Sequence, residues 1–391
     1  MFALDGINIL DLTWQGPGPL ATMMLGDLGA EIIQIRAAPT AGARQEIRVA
    51  GQRAVAYQAV SRNKRSLLLD LKSEEGRQIF HRLAREADVI VDGFRPGVTE
   101  RLGIDYATIS RINPRIIYCA ITGYGQDGPY RDLPGHDINY ISTAGVLNLI
   151  GEADRQPVVP LNLIADYGAG GKDAVIGILG ALVARGKTGR GQYIDISLTD
   201  SAISLLTESV LSPYFQSGVE PGRGDHVLGG ATPAYNIYQT KDGKYITIGC
   251  LEPWLWENFC RAIGKEEFTA YQSERDKWAE VTAHLKQLFL TRTRDEWFDF
   301  LCQQDVPVGK VYSLDEVFTD PQVVHRRMVI ELEHPAEGTI RQVGFAIKLS
   351  DTPGQVRSLP PLPGEHTEEI LLSLGYGRGE VERLRREGVI G

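Results

Sequence analysis

Over the first two hundred positions, short apolar runs alternate with stretches in which apolar residues recur every three or four places. This is the pattern of βαβ units around a largely parallel sheet. The runs predict strands at 7–12, 31–35, 66–71, 88–92, 115–122 and 192–197. The periodic stretches predict helices at 20–28, 74–86, 106–111 and 168–185. A doubly wound, Rossmann-like α/β domain follows.

After Leu198 the pattern changes to one long apolar helix, roughly to Phe215, and then to the Gly-rich, charged stretch SGVEPGRGDHVLGG, which reads as a linker. Beyond it, AYNIYQTKDGKYITIGC predicts two strands joined by a Lys-Asp-Gly turn. Helices at 254–263, 280–290 and 295–303 complete a smaller α+β unit, and strand-like runs return from Val329, with a last helix near 368–374. The expected layout is a large domain from 1–200 and 330–391, a linker helix and loop at 201–224, and a small domain at 225–329.

A length of 391 residues suits two domains better than one. Nothing approaches the roughly 20 apolar residues of a membrane span, and MFALDGINIL lacks the regions of a signal peptide. The ending REGVIG is not an SKL-type address, so a cytoplasmic enzyme is expected. Cys119, Cys250, Cys260 and Cys302 are scattered without CxxC spacing, which points away from a zinc site or a disulfide framework, and no metal is expected. A net charge of −9 argues against nucleic acid as a partner, although local basic clusters can still hold a small anion.

The turn after the first strand, TWQGPGP, is glycine-rich but is not GxGxxG, and Pro17 and Pro19 have no N–H to offer a phosphate. A nicotinamide dinucleotide is therefore disfavoured. Arg62, Lys64, Arg65 and Lys72 flank SLLLDL, and Arg95 and Arg101 follow the strand at 88–92. Such residues usually form a solvated rim, but Lys72, Arg95 and Arg101 follow strands, and open α/β sheets bind ligands at the carboxyl ends of theirs. A phosphorylated ligand fits that placement.

Three residues carry candidate chemistry. Asp166 ends the apolar run LNLIAD before a glycine-fronted helix; it reads either as an N-cap or as a reactive carboxylate beside unpaired N–H donors. His136 lies in GHDINY, where a satisfied loop histidine is the bland alternative and Asp137 suits a helix cap. Glu252, in GCLEPW, reads first as a solvated turn carboxylate. Spacing alone does not join the three.

The order of motifs does more. LDGINILDLT, GPGPLATMMLGDLGAEIIQI, NKRSLLLDLK, GFRPGV, RIIYCAITGYGQDGPY, GHDINY, ADYGAGG, KTGRGQYIDISL, TKDGKYITIG and PGEHTEEIL run through the chain. Together they resemble the family III CoA-transferases of the CaiB/BaiF type, a group that includes carnitine and bile-acid CoA-transferases, formyl-CoA transferase and α-methylacyl-CoA racemase. The resemblance implies an interlocked homodimer and an acyl-CoA substrate. Coenzyme A would enter as part of that substrate, with no permanently bound cofactor. By motif match it implies that Gln15, Gly16, Arg36, Leu69, Asp70, Leu71, Lys72, Gly93, Phe94, Arg95 and Arg101 hold the CoA. Gly135, Asp137 and Tyr140 of GHDINY join that set, although Asp137 taken alone reads as structural.

Two reactions follow from the resemblance. In the transferases the aspartate matching Asp166 is a nucleophile that passes through an anhydride and an aspartyl-CoA thioester. In the racemases it is one of two proton-transfer groups, with a histidine on the other face of the α-carbon. The racemase pattern of GHDINY, then AD(F/Y), then (I/L)EP is matched by His136, Asp166 and Glu252, the glutamate being supplied by the neighbouring chain. The formyl-CoA type carries a run of glycines where this chain has VLGGATP, with only two. The racemase pattern fits better, with a role in lipid metabolism.

Overall fold

Six strands, β1 (Asn8–Asp11), β2 (Glu31–Arg36), β3 (Lys64–Leu68), β4 (Val89–Asp92), β5 (Ile117–Thr122) and β6 (Tyr193–Ser197), form one parallel sheet in the order β3-β2-β1-β4-β5-β6. The central strands are apolar runs buried on both faces, as β4 is at all four positions, because helices cover the two sides of a parallel sheet. Strand order reverses between β1 and β4. That reversal opens a crevice at their carboxyl ends. The computed structural model describes residues 1–37, 58–335 and 337–391.

The described residues divide into two compact units, one of Met1–Ala144, Pro160–Leu205 and Pro321–Gly391, the other of Gly145–Val159 and Leu206–Asp320. The second unit is built on the antiparallel strands β7 (Tyr235–Gln239), β8 (Tyr245–Gly249) and β9 (Val308–Val311). Its core is aromatic, with Tyr238, Phe259, Phe289 and Trp297 packed ring to ring. The hairpin β10 (Val329–His334) and β11 (Gly338–Val343) belongs to the first unit.

The structure departs from the sequence expectations where distant segments intervene. β3 ends at Leu68 because Leu69 forms an antiparallel bridge with Ile390 and the Asp70 N–H donates to the Val389 carbonyl at 2.8 Å. The first helix begins at Pro17 rather than Leu20, since proline is favourable in a first turn whose N–H groups have no helical acceptor. The segment expected as one helix to Phe215 is a succession: Leu198–Ser204, a π-helical turn at Thr207–Leu211, and Ser212–Ser217 ending on Gly218 at φ 68°.

Arg62 and Lys64 are not a solvated rim. Arg62 is buried in an ion pair with Asp27 at 2.7 Å, and Lys64 donates to Asp11 Oδ2 at 3.0 Å with both side chains fully buried. Buried charges survive only when paired and hydrogen-bonded. The Lys64 ammonium also donates to Thr22 Oγ1 and the Pro19 carbonyl, which uses all three of its protons and ties β3 to the Pro17–Asp27 helix.

Candidate active site

A cavity of about 850 Å³ lies in the first unit at the carboxyl ends of β1, β4 and β5, where the strand order reverses. Residues 13–18, 93–98, 121–124, 131–140 and 162–167 contribute to its walls. A larger cavity of about 1700 Å³ in the second unit contains none of the candidate residues.

The wall after β1 is fixed from below. Asp11 is buried, and its carboxylate accepts from the Thr13 N–H at 2.9 Å, Thr13 Oγ1 at 2.5 Å, Thr22 Oγ1 at 2.6 Å and Lys64 Nζ at 3.0 Å. Glycine is required further along this loop. Gly16 sits at φ 68°, ψ −131°, a region closed to other residues, and a Cβ there would lie 3.4 Å from Asp166 Oδ2. The chain therefore passes close against the Asp166 carboxylate.

Asp166 is not an N-cap. It lies inside a π-helical turn, Leu163–Gly170, that runs directly into the Gly171–Thr188 helix, and its carbonyl accepts from the Gly171 N–H, five residues on. π-Turns within helices recur at functional positions. The Asp166 N–H near the start of this turn donates to Asp137 Oδ2 at 2.9 Å, so the cap comes from 29 residues upstream. That amide is therefore not free to donate to a ligand. On the carboxylate, Asn162 Nδ2 donates to Oδ2 at 3.2 Å. Burial pushes the Asp166 carboxyl above the ordinary aspartate range; the Asn162 bond opposes the shift, the Asp137 charge adds to it, and His136 opposes it.

His136 takes the N-cap position of the Asp137–Thr143 helix, where its N–H donates to Asn139 Oδ1 at 3.0 Å. Its side chain is exposed and lines the cavity with Asp166. Tyr140, one turn on, is held by a hydrogen bond from its hydroxyl to the Gly135 carbonyl at 2.5 Å, and burial pushes its phenol up to about 12. Its ring occupies the space that side chains at Gly123 and Gly135 would need, with built Cβ atoms only 2.2 and 2.6 Å away.

Of the expected ligand-binding residues, Gln15, Gly16, Gly93, Phe94, Arg95, Gly135 and Tyr140 line this cavity together with His136 and Asp166. Arg36, Asp70, Leu71, Lys72 and Arg101 lie outside its walls, at the ends of β2 and β3 and in the short Val98–Leu102 helix. Arg36 is half-buried; burial lowers its pKa and the Asp11 charge raises it. Lys72 and Arg101 are exposed. Leu69 is 1 % exposed with its side chain in the hydrophobic core, and Asp137 is 2 % exposed, with its side chain off the cavity wall and its Oδ2 accepting the Asp166 N–H. Glu252 lies in the second unit, exposed, at the N-cap position before Pro253, and is not part of this cavity's wall.

Sequence reasoning missed Asn162, Trp14, Tyr124, Arg131 and Asn139 on the wall. Asn162 carried a usable signal, because it stands four residues before Asp166, the spacing of neighbours on a helical face. Trp14, 66 % exposed between two polar turn residues, was detectable as a large aromatic with no core position. Among the described residues, no group of three or more His, Cys, Asp or Glu side chains could hold a metal ion, and no helix is long and apolar enough to cross a membrane.

Comparison with known proteins agrees with this architecture. The profile of CoA-transferase family III matches residues 4–367. The chain is 33% identical to the human α-methylacyl-CoA racemase over 389 residues, covering 99% of this chain and 97% of that protein. It is 34% identical to the mouse succinyl-CoA:glutarate CoA-transferase over 402 residues, covering 100% and 91%. The crystal structure of a CAIB/BAIF family protein from Brucella suis superposes with a TM-score of 0.82 at 30% identity, covering 95% of this chain and 99% of that one. With racemase and transferase relatives equally distant, these likenesses leave the reaction open, but the protein belongs to CoA-transferase family III.

Proposed function

We propose that this enzyme epimerises 2-methylacyl-CoA thioesters by moving a proton on and off the α-carbon through an enolate. The observation that carries the reading is that His136 and Asp166, from different elements, line one cavity at the point where the strand order reverses. Inversion needs two groups, one to remove the proton and one to return it from the opposite side. A carboxyl raised by burial is a stronger base than a free one, which suits Asp166 to this exchange. Gln15, Gly16, Phe94 and Arg95 would hold the pantetheine and phosphate part, and the basic Arg36, Lys72 and Arg101 the nucleotide end. In this reading the protein acts in the cytoplasm as an interlocked homodimer, with Glu252 of the neighbouring chain orienting His136.

A second reading is favoured by the transferase relatives of equal identity. Here an Asp166 oxygen attacks the thioester carbonyl, CoA thiolate leaves, and an acyl-aspartyl anhydride forms; the thiolate then attacks the aspartyl carbonyl, giving an aspartyl-CoA thioester and releasing the first acid. An acceptor carboxylate completes the cycle by the reverse sequence.

Incubation of a single-epimer 2-methylacyl-CoA in deuterated water, with no acceptor acid, separates the two. Deuterium at C2 with loss of stereochemical purity is expected. CoA transfer to an added acid without exchange at C2 would replace the first reading by the second. Loss of exchange by a factor of roughly 100 or more is expected for both His136→Ala and Asp166→Ala, whereas transfer would be lost only in the latter.

A further inference from the structure

Asp137 combines two features. Its main chain continues directly from His136 into the Asp137–Thr143 helix, and its Oδ2 accepts the Asp166 N–H at 2.9 Å. The side chain is 2 % exposed, and its other oxygen, Oδ1, is buried without a hydrogen bond from the described residues. Burying a carboxylate with half its acceptor capacity unused costs stability. An apolar residue would pack at less cost. What the carboxylate supplies in return is one bond to the backbone of the residue at the centre of the site, and a negative charge beside that residue's own carboxyl.

We propose that Asp137 is the positioning residue that joins His136 and Asp166 into one rigid unit, its backbone setting the histidine and its carboxylate fixing the π-turn that carries the aspartate. This rests on the reading that His136 and Asp166 are the reacting pair, and it applies whichever reaction Asp166 performs. The bond makes the spacing of the pair independent of what fills the cavity. The charge also has an effect, because a second carboxylate beside Asp166 disfavours its ionised form.

Among the described residues, the charges acting on Asp166 are Asp137 and His136. Tyr140, with Tyr124 and Arg95 beside it, faces it from the neighbouring walls. The Leu198–Ser204 helix packs on both the π-turn and the Asp137–Thr143 helix, and its one titratable residue, Asp200, is exposed and acts on Asp195 instead. Lys172 and Asp173 open the helix after the π-turn and Asp27 closes the Pro17–Asp27 helix packed on it, the last occupied by Arg62.

The test compares wild type, Asp137→Ala and Asp137→Asn in kcat, KM and the pH profile of kcat/KM, with circular dichroism to verify folding. Asp137→Ala loses the bond, so kcat should fall roughly 100-fold while KM changes little, because Asp137 does not line the cavity. Asp137→Asn keeps an acceptor for the Asp166 N–H and removes the charge. It should recover most of kcat, and its acid limb should move to lower pH. Should the alanine variant not fold, the asparagine pH profile still decides. Wild-type kcat and an unmoved profile in the folded alanine variant, or an asparagine variant with an unmoved acid limb, would overturn the proposal. If wild type shows transfer and no exchange, the proton-transfer reading fails by itself, and the same variants are then measured in transfer.

Discussion

Asp11 and Asp166 are both buried to some degree at the carboxyl edge of the same sheet, yet their surroundings differ in kind. Asp11 receives four donors, including the Lys64 ammonium, and neither of those paired side chains is exposed. Among the described residues, Asp166 receives one side-chain donor, Asn162, and it faces a cavity. A carboxylate whose acceptor sites are all filled is framework, since nothing is left for a ligand to exchange with. One that is desolvated but under-donated holds its proton more readily and remains available for chemistry. Asp92, ending β4 beside the cavity, is intermediate: it is 3 % exposed, accepts the Phe94 N–H, and burial pushes its carboxyl up to about 7.

This contrast can be broken in several places. The largest effect is expected for Lys64→Ala, which leaves Asp11 buried without its cation and should cost about 3–5 kcal/mol in urea unfolding. A loss below about 1 kcal/mol would mean that the pair is not the framework described here. Asp92→Asn tests the intermediate case through pH. Its folded pKa of about 7 lies above the ordinary 3.8, so the protonated acid stabilises the fold; that contribution is complete below about 4 and is lost as the pH rises through 7. Wild type should therefore lose up to about 4 kcal/mol relative to the asparagine variant across this window, at 1.36 kcal/mol per unit. A difference between the two proteins that does not vary with pH would show that Asp92 stays ionised. A smaller effect is expected for Gly16→Ala, where forcing a side chain into a glycine-only conformation should cost about 1–3 kcal/mol. Because the new methyl group would meet the Asp166 carboxylate, activity should fall more than the stability loss explains; steady-state rates below the melting transition measure this.

Much of the fold was legible in sequence because it depends on local period. The helix Glu74–Glu86 has the predicted bounds, and Ser73 caps it by accepting the Gly76 N–H. The six strands of the parallel sheet appear where short apolar runs stand between helical stretches. Less was legible at the strand ends. Lys64 and Arg62 read as surface residues by type, and only their pairing with Asp11 and Asp27, 53 and 35 residues away, makes their burial intelligible. β3 ends before its apolar run does, because Val389 and Ile390 pair with the backbone at Leu69 and Asp70.

The candidate site divides along the same line. The ordered motifs identified Asp166, His136 and the loops around Gln15 and Arg95 as parts of one family pattern, and the cavity collects them. The π-turn that carries Asp166 could not be read, since ADYGAGG is equally compatible with a capped helix start. Asp137 could be read as structural beside His136, but not its partner, the Asp166 N–H 29 residues on.

By itself, the sequence determined the alternation of strands and helices, the parallel sheet and the family, because these rest on side-chain periodicity and on motifs contiguous in the chain. Tertiary structure decided which charges are sealed, which carboxylate faces the cavity and which residue caps the π-turn. Those outcomes depend on desolvation and on hydrogen bonds between residues dozens of positions apart, and neither is encoded in any local pattern.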